Sequence, residues 1–162
     1  YIVKTNLNGG VVFQKTYGGN FLEKGIDIVR KDNGDGYIVL GQQCKHRYDV
    51  HSCGPITKVM ILDIDENGNE LDQTFLGGLK FYEFGTPMAL ANTSNDGYVF
   101  ATNPRNGGNV WLYKWGDFED NLNLKISPGG FGGESIEKTL DNGFIISTGG
   151  GTVLKTDSQL SY

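Results

Sequence analysis

Residues 17–41 read YGGNFLEKGIDIVRKDNGDGYIVLG, and this stretch decides the fold because it recurs. Leu76-Gly77-Gly78 leads on to Asn95-Asp96-Gly97-Tyr98-Val99-Phe100, and Pro128-Gly129-Gly130 leads on to Asp141-Asn142-Gly143-Phe144-Ile145-Ile146. The Gly-Gly pairs begin at Gly18, Gly77 and Gly129, intervals of 59 and 52 residues. A second element sits between these copies: Ile2-Val3-Lys4-Thr5-Asn6-Leu7-Asn8-Gly9, then Ile61-Leu62-Asp63-Ile64-Asp65-Glu66-Asn67-Gly68. It returns as Leu112-Tyr113-Lys114 and as Val153-Leu154-Lys155-Thr156-Asp157. Self-similarity at such intervals indicates stacked supersecondary units, and blade-type repeats run at about 40–50 residues.

Each copy has the grammar of paired strands. Ile26 and Ile28 alternate with Asp27 and Val29, a period of two. Asp32-Asn33-Gly34-Asp35-Gly36 then supplies a dense turn signal before the apolar run Tyr37-Ile38-Val39-Leu40. Asn8-Gly9 suits a tight hairpin turn between residues 2–7 and 11–16. No segment sustains a 3.6-residue period for ten residues, which argues against helical repeats. The expected unit has four antiparallel strands. An outer half-blade falls at 1–17, full blades at about 23–76 and 83–127, and a last unit at about 134–162 that lacks its outer strand. Closed propellers need about four to eight blades, so residues 1–162 are expected to form a single all-β, β-propeller-type domain of about three blades, an incomplete propeller.

The composition agrees. With 162 residues, 38% hydrophobic and 20% charged, the chain has the makings of a folded domain rather than a disordered one. Its 25 glycines against 4 prolines, spread at intervals, fit many tight turns. A net charge of -5 offers phosphates no basic patch and speaks against a nucleic-acid partner. No apolar run approaches the roughly 18 residues that span a bilayer as a helix. The chain opens at Tyr1 within a strand-like pattern and shows no signal peptide, which is read as a processed product or a piece of something longer.

The Lys-Thr-Tyr-Gly-Gly run of Lys15 to Gly19, the Asp-Gly-Tyr-Ile-Val run of Asp35 to Val39 and the Lys-Thr-Asn/Asp strands resemble secreted prokaryotic β-propeller repeats. Such repeats occur in cell-surface proteins and lipoproteins of bacteria and archaea. The resemblance covers nearly the whole chain, and its motifs are turn and packing residues. It implies a propeller fold and an extracellular or cell-surface setting, and it transfers no catalytic residue.

Four groups of residues could carry chemistry. An inserted loop at 43–56 holds both cysteines and both histidines, Cys44, His46, His51 and Cys53. On a hairpin these would face one another from one side. A Cys44–Cys53 disulfide, which an oxidising compartment favours, competes with a zinc site made by all four. Asp63, Asp65 and Asn67, followed by Gly68, match the first half of a calcium loop. Thr74 stands where such a loop has its bidentate glutamate, so a type I′-like hairpin turn competes with the calcium reading. Trp111, Tyr113 and Trp115 fall on one face of a strand and could stack on sugar rings; their counterparts Tyr1, Val3 and Thr5, then Met60, Leu62 and Ile64, read as core. Asn92-Thr93-Ser94 is a glycosylation sequon at Asn92.

For catalysis little remains. The G-x-S-x-G elbow is missing, and Asp27, Glu83 and Glu137 are isolated carboxylates that would have to pair for glycoside chemistry. The expected function is a non-catalytic, extracellular structural or interaction module whose partners are other protein chains or further blades. A glycan-binding module is the alternative, and a glycoside-processing fragment stands behind it. Calcium is the one cofactor in view.

Overall fold

Period-two alternation punctuated by Asx-Gly turns produces strands throughout. The computed structural model describes residues 1–19, 21–44, 57–76, 86–94, 97–103, 110–116, 123–126 and 132–161. Among them are thirteen strands and no helix. The strands form small antiparallel sheets in two compact units, Tyr1–Leu76 and Gly77–Tyr162.

In the first unit β1 (Ile2–Thr5) pairs with β2 (Val11–Lys15) as an isolated hairpin. The next four strands are β3 (Leu22–Arg30), β4 (Tyr37–Cys44), β5 (Thr57–Ile64) and β6 (Glu70–Leu76). They pair in chain order, β3-β4-β5-β6, the meander of a propeller-type blade. In the second unit β7 (Thr86–Asn92), β8 (Tyr98–Asn103), β9 (Trp111–Trp115) and β10 (Asn123–Ile126) repeat the meander. β11 (Gly133–Lys138), β12 (Phe144–Thr148) and β13 (Val153–Thr156) make a three-stranded sheet. Half-blade, blade, blade and a last unit without its outer strand is the series the repeats lead one to expect. The fold is all-β and β-propeller-like, and incomplete.

One turn is used again and again. Asn6, Asp65 and Asp157 each donate a backbone N–H to the carbonyl four residues on. The residue three on from each donates back to it: Gly9, Gly68 and Leu160. Those three have φ of 80°, 73° and 61°. The Asx side chain accepts two further N–H groups in every case, Asn8 and Gly10, Asn67 and Asn69, Gln159 and Ser161. This is a three-residue loop with a left-handed closing residue. It corrects the expectation of a type I′-like turn at 63–68, since type I′ requires positive φ at both central residues and here Gly68 alone of the turn has it.

The Asp-Gly-Tyr and Asn-Gly-Phe motifs have a separate cause. A Cβ on Gly36 would lie 2.0 Å from the Ile64 carbonyl oxygen, and one on Gly143 would lie 2.0 Å from the Thr156 carbonyl oxygen. Ile64 and Thr156 are the same repeat position, so glycine is demanded where the turn crosses the end of the third strand.

Each unit has its own core. Phe13, Val39, Leu62 and Ile64 pack together with Ile2, Tyr17 and Tyr37 at their margin, so the β1–β2 hairpin lies on the four-stranded sheet. Lys4 reaches the Glu66 carboxylate and its carbonyl oxygen, and Tyr17 donates its hydroxyl to the Gly68 carbonyl at 2.6 Å. In the second unit Val99, Ala101 and Leu112 meet Ile136, Phe144 and Ile146, with Leu154 alongside. Ile38, Val39, Val99 and Ile146 are buried as their apolar strands suggest. Ile145 is not: it is 40% exposed, because alternation along β12 sends it to the outer face while Phe144 and Ile146 point into the core.

Candidate functional site

Of the insertion, only Cys44 falls within the described residues; His46, His51 and Cys53 lie outside them. Cys44 ends β4 with 2% of its surface exposed, and the Gln42 amide approaches its sulfur at 3.6 Å. Its strand neighbours are Leu22 of β3 and Thr57 of β5, so the inserted loop springs from the middle of the sheet's end rather than from an edge.

Asp63 and Asp65 each have partners of their own. Asp63, on β5, forms an ion pair with Lys31 at 2.6 Å. Asp65 spends Oδ1 on the backbone N–H groups of Asn67 and Asn69 and Oδ2 on the Asn69 side-chain amide. Those bonds, the Asn69 N–H first, hold its carboxyl below the usual carboxylate range. Asn67 is exposed on the turn. Among the described residues no three His, Cys, Asp or Glu side chains converge.

The aromatic row does share a face. β9 registers Trp115 against Tyr98, Tyr113 against Phe100 and Trp111 against Thr102. Tyr113 stacks on Phe100 with ring centroids 5.1 Å apart, and Trp115 lies 6.0 Å from Tyr98. Tyr113 is 2% exposed and belongs to the interior, whereas Trp111 and Trp115 are half-buried at the two ends of the strand. The row is a cross-strand aromatic ladder whose ends alone reach solvent.

Asn92 closes β7, half-buried, and the following Thr93 is buried with its hydroxyl accepting the Gly97 N–H at 3.0 Å. Asp27 sits on β3 and Glu137 on β11, in different units; Glu83 lies outside the described residues.

Among the described residues the structure gathers a further group that the sequence does not announce. A cleft of about 210 Å³ in the second unit is lined by Thr93, Ser94, Lys114, Asn142, Ser158 and Gln159 above Phe144. Its walls are the turn after β7, the turn between β11 and β12, and the turn after β13. Ser94 and Asn142 are joined across it by a 2.7 Å hydrogen bond, and Lys138 donates to the Thr93 carbonyl at 3.2 Å. Hydroxyls, amides and one ammonium over an aromatic floor suit a small polar ligand rich in hydroxyl groups. They offer no nucleophile with a base beside it and no pair of carboxylates. Lining residues come from four separate stretches of chain, so no local pattern could have marked them.

The remaining feature is a sheet face. On the outer side of β1–β2, Tyr1 and Val3 are 71% and 41% exposed. No protein-family model and no curated protein matches the chain. Fold and geometry therefore carry the functional reading.

Proposed function

We propose that the protein is a non-catalytic structural or interaction module built from β-propeller blades, acting outside the cell or at its surface and binding other protein chains or further blades. The observation that carries this reading is the outward face of β1–β2. Its apolar row stands in water, although the same repeat row on β5, Leu62 and Ile64, is 1% and 0% exposed. Surface of that kind marks interaction sites. The resemblance to secreted propeller repeats supports the extracellular setting. A Cys44–Cys53 disulfide belongs to the same proposal, supported by a buried Cys44 at the root of an insertion that holds the chain's only other cysteine.

A glycan-binding role is the second reading, favoured by the hydroxyl- and amide-lined cleft at Ser94, Asn142 and Gln159. A screen separates the two: binding to a sugar array, turnover of chromogenic glycosides, and binding to surface extracts. Protein capture without turnover is the expected result. Array binding that Asn142→Ala abolishes would move the assignment to the cleft, and turnover of any glycoside would overturn the non-catalytic reading.

A further inference from the structure

The third strand of each repeat carries four equivalent positions, Ile2-Val3-Lys4-Thr5, Ile61-Leu62-Asp63-Ile64, Leu112-Tyr113-Lys114-Trp115 and Val153-Leu154-Lys155-Thr156. Alternation puts the first and third on one face and the second and fourth on the other. Sheets meet within the units by one rule. In the first unit the first-position residue Ile2 lies against the second- and fourth-position residues Leu62 and Ile64. In the second, first-position Leu112 lies in the same core as second-position Leu154. A first-and-third face is seated on a second-and-fourth face in both.

Among the described residues, each unit also leaves one half of this contact exposed. The hairpin presents the receiving face, with Val3 and the preceding Tyr1 at 41% and 71% exposure. The β11–β13 sheet presents the seating face, with Val153 and Ile145 at 63% and 40% exposure. Their covered counterparts, Leu62 and Leu112, are 1% and 3% exposed. Both halves of a contact that the protein already makes twice are thus open to solvent.

We infer that these two faces bind each other between copies of the chain. The outer face of β11–β13 of one copy would seat on the outer face of β1–β2 of the next, head to tail. The inference rests on the reading of the protein as an interaction module and names its partner as a second copy. Two different patches meet, so the interface is heterologous, and such contacts build rings where the rotation closes and open chains where it does not. Recognition is by apolar sheet packing in the geometry of Ile2 on Leu62. At the turn, Leu7 occupies the place where Glu66 takes the Lys4 ammonium in the first unit, which makes the receiving face more apolar than its template.

Sedimentation velocity on the whole chain, from micromolar to submillimolar concentration, tests this with Val3→Glu and Val153→Glu. Both residues are exposed, so the variants should melt within a few degrees of the parent; a larger fall would transfer the test to Val3→Ser and Val153→Ser. The parent should sediment as a dimer or larger species and each variant alone as a monomer. Mixing the two variants should restore a 1:1 heterodimer and nothing larger, since one keeps an intact receiving face and the other an intact seating face. A parent that stays monomeric throughout, or variants that associate as the parent does, would overturn the inference. So would a mixture that stays monomeric. A monomeric parent that still captures a surface protein would leave the interaction reading standing, whereas glycoside turnover would remove that reading whatever the mass.

Discussion

At Leu160 two effects oppose each other, and magnitude decides between them. Its φ of 61° costs a side-chain-bearing residue about 1–2 kcal/mol, a cost that Gly9 and Gly68 avoid in the same turn. Yet Leu160 is 2% exposed within the core of the second unit, and truncating a buried leucine costs about 2–5 kcal/mol. Burial wins, so Leu160→Gly should destabilise the protein by about 1–3 kcal/mol in urea unfolding, despite relieving the backbone. At Gly143 no such balance exists. A methyl group there would meet the Thr156 carbonyl oxygen at 2.0 Å, and Gly143→Ala should cost at least about 1–3 kcal/mol. Charged turn residues add a dependence on pH. Lys155 and the Thr139 hydroxyl hold the Asp141 carboxyl far below its ordinary value, and Lys4 does the same for Glu66. A carboxyl depressed in the folded state contributes stability above its unfolded pKa, near pH 4, and that contribution disappears as pH falls through the folded value. Melting temperature should therefore drop as pH falls below about 4. Asp141→Asn should make that drop shallower, which thermal melts from neutral to acid pH will read; an unchanged slope would remove Asp141 from the account.

Elements show which parts of the molecule can be read from sequence. Strand and hairpin order follows from local signals, period-two alternation and Asx-Gly turns, and these placed the half-blade, both blades and the truncated last unit correctly. Alternation tells which residues share a face, as with Trp111, Tyr113 and Trp115. It does not tell which face has a partner, and that depends on the neighbouring sheet. Ile145 is the instance: its repeat counterparts Ile38 and Val99 are 2% and 0% exposed, but among the described residues the core of the second unit takes Phe144 and Ile146 from β12 and leaves Ile145 40% exposed. Ile146→Ala should cost about 2–5 kcal/mol and Ile145→Ala less than about 1 kcal/mol. Equal losses in urea titrations would mean that both faces of β12 are packed. The cleft at Ser94 and Asn142 was illegible for another reason, since its walls come from turns distant in sequence. An ion pair also changes sign between repeats. Lys31 pairs with Asp63 in the first blade at 2.6 Å, whereas Asp141 pairs with Lys155, at the equivalent strand position, at 2.8 Å. Reversing Asp63 alone should cost up to about 1 kcal/mol, and the double exchange Lys31→Asp with Asp63→Lys should recover most of it.

On the scale of the whole molecule, two features are open to direct chemistry. With Cys44 and Cys53 the chain's only cysteines, the proposed disulfide requires that alkylation of the denatured chain add two adducts after reduction and none before. Uptake of alkyl groups without reductant would remove the bridge, and stoichiometric zinc would put the four-residue site in its place. The assembly of the chain is decided by the head-to-tail test of Val3 and Val153. Both depend on the series of propeller-type sheets, in which the inner strands of the two four-stranded meanders and of the β11–β13 sheet are paired on both sides. Strand-resolved amide hydrogen exchange tests this most directly, because a strand with two hydrogen-bonded neighbours opens only when the blade does. The slowest exchange should fall on β4 and β5, on β8 and β9, and on β12, with β2, β6 and β10 exchanging faster as sheet edges. Protection concentrated on β2, β6 or β10, with β4 and β8 exchanging freely, would contradict the blade order and the functional reading built on it.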